Sequence, residues 1–398
     1  GIAHPREQRE HRISFLSEKS MKRQLGQFFT TNCDYVLQGL ELFVKNKEIT
    51  DPFAGNRDLM LWARRHKCKK AVGFDCDKNY ADGKNVFYGD SLRSPRKYKF
   101  VCTNPPYLHK NKADGETKQR FFSGIRGHFE DLYQVSIFSI LNCEEGILIV
   151  PINFLSAENS QKIRNLFFDK FEIVKLNIFS EQVFDDTTYN VISFYFRKKE
   201  DVGEKNKISA TIFPQKRSID FIVEKKYNWQ LGGEFIYRIK NVKNHLGIFR
   251  LTEDYLRSGE YQLLLAFQNI KDKKLLNINE ETKKIMDNNI LFLRAIDSKN
   301  GKKIQLEDIR RYGIAGLVGK NTSRTMAHLI FKETISIREQ TELMKRFNER
   351  LNQEREKYSS FFLTNFRDNN RKRISFEWAY KFLNHLYDEK NQKQSALF

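Results

Sequence analysis

The residues best suited to do chemistry are Asn104-Pro105-Pro106-Tyr107, which close the run Phe100-Val101-Cys102-Thr103. Proline has no N–H and a locked φ, so two prolines after a strand leave carbonyl oxygens pointing in fixed directions. An asparagine ahead of that turn supplies two acceptors, its side-chain oxygen and the Pro105 carbonyl, spaced for the two hydrogens of a planar NH₂ group. Such a nitrogen is a poor nucleophile because its lone pair is delocalised. Two acceptors gripping its hydrogens favour the pyramidal, attacking form, and in-line approach to an electrophile does the rest through orientation. No covalent intermediate on the protein is required, and no Pro-Cys pair occurs in the sequence. Tyr107 adds a π-face for a planar ring. The competing reading is a Pro-Pro turn of purely structural use.

Three acids upstream weigh against that bland reading. Asp51-Pro52-Phe53-Ala54-Gly55-Asn56-Arg57-Asp58 sits where a first strand turns into a first helix. There a glycine permits close approach of backbone to ligand, and a strand-end carboxylate can hold a cationic amino group. Gly73-Phe74-Asp75-Cys76-Asp77 ends the next strand with an acid where both hydroxyls of a ribose can be accepted. Gly89-Asp90-Ser91 closes the third, and its acid can accept from an adenine amino group. Each acid alone is more often a solvated loop carboxylate. One acid per successive strand end is what points to a nucleoside ligand.

These loops need a mostly parallel sheet to position them. From Lys47 to Lys199 short β-branched or aromatic runs alternate with amphipathic stretches, the pattern of strands joined by crossover helices. The expected strands are Lys47–Thr50, Lys70–Asp75, Val86–Tyr88, Phe100–Thr103, Gly146–Phe154, Glu172–Phe179 and Tyr189–Arg197. Helices are expected at Asp58–His66, His128–Leu141 and Gln161–Phe168. The charged, aperiodic run Lys198–Lys207 is expected to end this domain at residue 200. A mixed domain should follow over 201–328, and a helical region over 329–398. In the latter, Leu343, Phe347 and Leu351 recur every four residues along a charged segment, Ile337–Lys357. Residues 1–20 are polar and mostly charged, read as a flexible arm or expression remnant.

With 398 residues the chain can bury a substantial core. Its 70 Lys+Arg against 50 Asp+Glu, a formal charge of +20, point to an acidic polymer as partner, most often nucleic acid. Residues 201–398 hold 38 Lys+Arg and 25 Asp+Glu, so the second half is the more basic. The five cysteines form no CxxC pair and have no clustered His, which suggests neither a zinc site nor disulfides; no metal is expected, and a reducing cytoplasm fits. No apolar run is long enough to cross a membrane, so a soluble chain without a membrane partner is expected.

Together these residues resemble the S-adenosylmethionine-dependent methyltransferases that act on the N6 amino group of adenine in DNA, a family with a Rossmann-like catalytic domain. The resemblance covers roughly Lys22 to Arg197. Its segment order, cofactor loops first, catalytic tetrad next and target-recognition region last, is that of the family's gamma group in restriction-modification systems. It implies an α/β fold: a mostly parallel seven-stranded sheet in a catalytic domain over 21–200, a mixed target-recognition domain over 201–328, and the C-terminal helical segment. It implies S-adenosylmethionine as cofactor, double-stranded DNA as substrate, a restriction endonuclease as possible counterpart, and a cytoplasmic, prokaryotic or phage-encoded setting. Gly26-Gln27-Phe28-Phe29-Thr30 looks like the segment that folds over the methionine part of the cofactor. Carried across, Phe28, Phe29, Thr30, Asp51, Phe53, Ala54 and Gly55 line the methionine side. Asp75 and Cys76 would lie at the ribose, Asp90 and Ser91 at the adenine ring, and Asn104 would face cofactor and target alike. Asn104, Pro105, Pro106 and Tyr107 would grip the target adenine, with Phe184 a second aromatic against the flipped base.

Phosphate and base contacts are expected from Lys320, Thr322, Ser323 and Arg324, and from Arg371 and Arg373; the basic residues along Lys345–Arg355 could track the backbone. The same chemistry on RNA or on a protein glutamine amide is the alternative. A catalytically dead DNA-binding protein is a third reading. Arg57 stands where the family often has a small residue.

Overall fold

The computed structural model describes residues 30–184, 190–299, 301–365 and 371–395. Phe28, Phe29 and the arm 1–20 lie outside the described residues. The chain divides into two compact units, 1–231 and 232–398.

The first unit is built on one sheet. Its strands are β1 (Glu48–Asp51), β2 (Lys70–Asp75), β3 (Val86–Tyr88), β4 (Tyr98–Thr103), β5 (Cys143–Pro151), β6 (Phe171–Phe179), β7 (Val191–Lys198), β8 (Lys205–Phe213) and β9 (Arg217–Glu224), in the order β3-β2-β1-β4-β5-β7-β6-β8-β9. β1 to β5 run parallel, and β7 lies antiparallel between β5 and β6. β1 pairs with β2 on one side and β4 on the other, so the strand order reverses between β1 and β4. Ligands of open α/β sheets sit outside the carboxyl ends of the strands at such a switch point. Asp51 and Thr103-Asn104 stand at the carboxyl ends of those two strands.

The central strands are apolar because helices cover both sheet faces. Ile147, Leu148, Ile149 and Val150 of β5 are all fully buried. Gly146 lets β4 and β5 approach, since a Cβ there would lie 2.4 Å from the Val101 carbonyl. The helix Gln161–Phe168 seats Phe167 against Phe171 and Phe196, each with ring centroids 5.1 Å apart. The observed helices Asp58–Arg65 and Gln161–Phe168 match expectation; His128–Leu141 is helical only over Leu132–Ser139, where Asp131 caps it through the Tyr133 N–H.

The first unit does not end at residue 200. β8 pairs parallel with β6 from Lys175↔Ser209 to Phe179↔Phe213, and β9 adds antiparallel to β8, so the sheet has nine strands rather than seven. The reason is a period-two pattern: Asn206, Ile208, Ala210 and Ile212 point inward between exposed residues. The chain then returns to place Trp229 on Phe168, stacked at 5.1 Å.

The second unit carries a four-stranded sheet, β10 (Phe249–Arg250), β16 (Met326–Ile330), β13 (Leu291–Arg294) and β14 (Gln305–Asp308), and a three-stranded sheet, β12 (Asn269–Ile278), β11 (Tyr261–Phe267) and β15 (Gly316–Val318). The expected boundary at 328 falls inside β16, and the C-terminal region is not separately helical: β17 (Thr364–Asn365) and β18 (Lys372–Arg373) interrupt it. The helix Ile337–Lys357 forms over the expected residues, opened by a reciprocal Ser336/Glu339 capping box, with Leu343, Phe347 and Leu351 buried. It belongs to the same core as the sheets, because Asn348 bonds both the N–H and the C=O of Leu306, and Gln340 the N–H of Ile290. No described helix is long and apolar enough to cross a membrane.

Near the end of that helix Arg355 is 2 % exposed and forks onto Asp297 at 2.9 and 2.6 Å, with its Nε donating to Ser360 at 2.8 Å. Removing one partner of a buried pair strands the other charge. Arg355→Ala is therefore expected to lower the stability of the whole chain by roughly 3–5 kcal/mol in urea unfolding; a loss below about 1 kcal/mol, the level of an exposed pair, would contradict this.

Candidate active site

The site starts from Asp51, whose carboxylate is buried at the end of β1. The Thr103 hydroxyl donates to its Oδ1 at 2.6 Å and the Phe53 N–H at 3.1 Å. Burial still dominates and pushes its pKa up to about 7, with Asp75 and Asp58 adding repulsion. A rise from 3.8 to about 7 disfavours the charged form by about 4 kcal/mol.

Asp75, at the end of β2, is also buried. It accepts from the Gly55 N–H at 2.9 Å and the Asp77 N–H at 2.8 Å, and desolvation raises its pKa. These bonds shape the first loop. Gly55 takes φ +45°, and Ala54 donates its N–H to the Phe74 carbonyl at 2.9 Å. A Cβ on Gly73 would come within 2.5 Å of the Ala54 Cβ, so only glycine lets the loop lie this close to β2. Arg57 does adopt the left-handed region, at φ +70°, and its guanidinium pairs with Asp82 at 2.8 Å.

Asp90 follows β3, but its carboxylate is engaged by Arg120 at 2.9 Å and by the N–H groups of Leu92 and Arg93. Nothing in the sequence reading named Arg120. Ser91 is buried near Arg96, whose guanidinium lies over the Phe74 ring, 3.9 Å from its centroid. The half-buried Cys76 thiol is pushed up to about 12 by burial and by Asp75, which keeps it protonated and inert as a nucleophile.

Asn104 is held from two sides. Its Nδ2 donates to the Thr30 hydroxyl at 3.0 Å, and the Tyr107 hydroxyl lies 2.6 Å from its Oδ1 and 2.7 Å from the Ile149 carbonyl. The Thr30 and Tyr107 hydroxyls together hold the plane of the amide in place. Thr30 thus braces the amide of the tetrad. Tyr107 differs from expectation: its ring is 2 % exposed and meets Tyr133 edge-on at 6.4 Å, so in this conformation it braces Asn104 from below and offers no open π-face. Behind it the buried Asp131 accepts from the Leu108 N–H at 3.1 Å, and burial pushes that carboxyl up to about 7.

Phe184 is buried too. Its segment is tied to residues near Thr30 by Asn32, which donates to the Val183 carbonyl at 2.7 Å, and by Tyr35, which bonds Glu181. A cavity of about 330 Å³ opens beside Thr30 and Asp58, lined also by Asp34, Tyr35 and Arg65; neither Asp51, Asp75 nor Asn104 lines it, so it is not the centre of the site.

Among the residues expected to touch nucleic acid, Lys320, Thr322 and Arg324 are exposed on the loop after β15. Arg250 pins that loop by donating to the Asn321 carbonyl and, at 2.8 Å, to the Ser323 carbonyl. Ser323 is half-buried, with its hydroxyl 3.3 Å from the Met326 carbonyl. Arg371 and Arg373 are half-buried around the buried Lys372, which donates to Asn365 at 2.8 Å. The basic face of Lys345–Arg355 is largely consumed internally: Arg355 by Asp297, Arg350 by Glu354, Arg346 by Glu389 and the Leu386 carbonyl. That correction follows from pairing, which charge counting cannot see.

The parallel strands and the switch point between β1 and β4 define a Rossmann-like α/β domain. Residues 28–184 match the model of the Eco57I restriction-modification methylase family. A comparison with curated proteins gives no match. Similar solved structures include the M protein of the type I restriction enzyme EcoKI (14% identity, 43% of this chain and 46% of that one, TM-score 0.34). Others are the type IIG restriction endonuclease BpuSI (11%, 65% and 45%, 0.42) and a type I restriction-modification methyltransferase subunit from Streptococcus thermophilus (14%, 48% and 50%, 0.33). The chain spans about half the length of these proteins.

The elevated Asp51 carboxyl has a signed consequence. A folded pKa above the unfolded value stabilises the protein fully below about pH 4 and withdraws that stability as pH rises through about 7. Thermal unfolding of the ligand-free chain is expected to fall, relative to Asp51→Asn, between pH 5 and pH 8. A gap that stays constant over that range would mean the carboxyl ionises normally.

Proposed function

We propose that the chain is a sequence-specific DNA methyltransferase that moves a methyl group from S-adenosylmethionine to the N6 amino group of an adenine turned out of the duplex. The observation that carries this reading is the placement of an oriented Asn104 amide at the end of β4, across the switch point from the buried carboxylates of Asp51 and Asp75. The family match over 28–184 supports it.

The residues fit the cofactor on electrostatic grounds. Two buried carboxylates disfavour their own charge and repel one another, so a cationic ligand relieves both. Asp51 would face its positive end, while the Gly55 N–H and Asp75 would take the ribose. When bound, the cofactor supplies a methyl group activated by a sulfonium. Asn104 Oδ1 and the Pro105 carbonyl accept the two amino hydrogens of the target, and Thr30 and Tyr107 hold the amide in place. The Pro-Pro turn fixes the carbonyl direction, so the acceptors are set before the target arrives. Asp131, through the Leu108 N–H, holds the far side of this turn.

The exposed Lys320, Thr322 and Arg324 are assigned to DNA, and a restriction endonuclease counterpart in a prokaryotic or phage-encoded cytoplasmic setting is part of the proposal. Because the acceptor pair suits any planar NH₂, RNA or a glutamine amide is the second reading; the buried Tyr107 ring is the observation that keeps it alive.

Expression in a host lacking adenine methylation, followed by single-molecule sequencing, should show methyladenine at one recurrent motif, absent with Asn104→Ala. An unmodified genome from protein that binds S-adenosylmethionine would transfer the assignment to RNA or protein. By calorimetry, Asn104→Ala should bind the cofactor nearly as wild type does and Asp75→Ala should bind it weakly; equal losses would defeat this division of roles. Cofactor affinity should rise about ten-fold from pH 6 to pH 8 as Asp51 ionises, and Asp51→Asn should flatten that rise.

A further inference from the structure

We propose that the outward face of β12, completed by Gln262 of β11, is a DNA-reading surface that lies in the major groove. The assignment rests on the DNA-methyltransferase reading above. Opposed residues of an antiparallel pair project on the same side, and alternate residues of a strand share a face. The register pairs Gln262 with Asn277, Leu264 with Leu275 and Ala266 with Lys273. One face therefore presents Lys271, Lys273, Leu275 and Asn277 of β12 and Gln262 at the start of β11, all exposed. Leu264 and Ala266 of the same face pack onto Phe292, Ile309, Ile314 and Leu317, so that β12 is the open edge.

Their chemistry fits base edges. The cross-strand Gln262/Asn277 pair offers amides, each with donor and acceptor together, the combination that reads N6 and N7 of adenine. Leu275, 56% exposed, offers an apolar contact of the kind a thymine methyl takes. Lys271 and Lys273 flank them with charge for phosphates or guanine. The major groove is wide enough to admit the exposed β12 edge.

The ribbon is also held rigid. Its other face packs Leu263, Leu276 and Phe267 onto a core of Leu251, Leu265, Met286, Val318 and Ile330. At its tip, Asn269 Oδ1 accepts the N–H groups of Lys271 and Asp272 at 2.8 and 3.1 Å. Lys273 donates to the Tyr312 carbonyl at 2.8 Å, beside the exposed Arg311.

Lysines on an edge strand also serve to block pairing with another chain. That explains Lys271 and Lys273 but neither the exposed Leu275, which invites such pairing, nor the matched amides beside it.

Two double variants test the assignment, Gln262→Ala/Asn277→Ala and Lys271→Ala/Lys273→Ala, each first checked for unchanged S-adenosylmethionine affinity. In the methylation-free host, the amide variant should relax the motif at one or two positions, with discrimination there falling roughly 10- to 100-fold. The lysine variant should keep the motif but bind a 30-base-pair duplex with a log K against log salt slope shallower by about 1–2. A wild-type motif that both variants reproduce, with unchanged modified fraction and salt slope, overturns the ribbon and leaves the methyltransferase reading standing. Aggregation of the lysine variant with an unchanged slope overturns it in favour of edge protection. A genome left unmodified by the wild-type chain overturns both.

Discussion

The first unit depends on a buried carboxylate at the place where its sheet changes direction. Asp51 cannot be satisfied by water, so its oxygens must find donors, and the Thr103 hydroxyl and Phe53 N–H supply them. Through Thr103 the bond fixes the end of β1 against the end of β4, and so sets the first loop in register with the tetrad that follows. The arrangement costs stability while the carboxylate is charged. The apolar strands β4, β5 and β7 offset it.

From that constraint the rest of the site follows as a chain of positional locks. Gly73 brings the first loop onto β2, Gly55 donates to Asp75, and Arg57 holds a left-handed turn with its head group spent on Asp82. On the other side Thr30 holds the Asn104 amide, and Tyr107 and Asp131 support the turn from within the core. Polar groups fixed before the ligand arrives need little reorganisation when charge develops, which is the physical advantage of building a transfer site this way.

Much of this was legible in the residues. The tetrad and the acids at three strand ends stand where their patterns placed them and all seven expected strands form, because periodicity and strand-end polarity are local signals. The fifth, however, runs Cys143–Pro151, and Asn153 and Phe154, expected in it, are helical. Partners across the fold were not. Thr103 reads as one more β-branched strand residue until Asp51 is seen beside it. Asp131 reads as an ordinary helix cap, and Arg120 as a surface charge. Lys205 and Lys207 hid β8 by making an alternating strand look like a charged linker. Tyr107 was legible as an aromatic beside the site, but whether its ring faces outward or inward depends on Ile149 and Tyr133, which lie far off in sequence.

Net charge was the least specific of the signals. A surplus of +20 states that the chain attracts polyanions, not where. In the second unit Arg355, Arg350, Arg346 and Lys372 are each spent on an internal partner, and Arg355 and Lys372 are buried as well. Among the exposed basic residues that remain, Lys320 and Arg324 on the Arg250-pinned loop and Lys271 on β12 stand among hydroxyls and amides. Recognition needs that combination, since cations alone grip any phosphate equally. The informative quantity is therefore the charge that remains once internal pairs are subtracted, taken together with the polar groups around it.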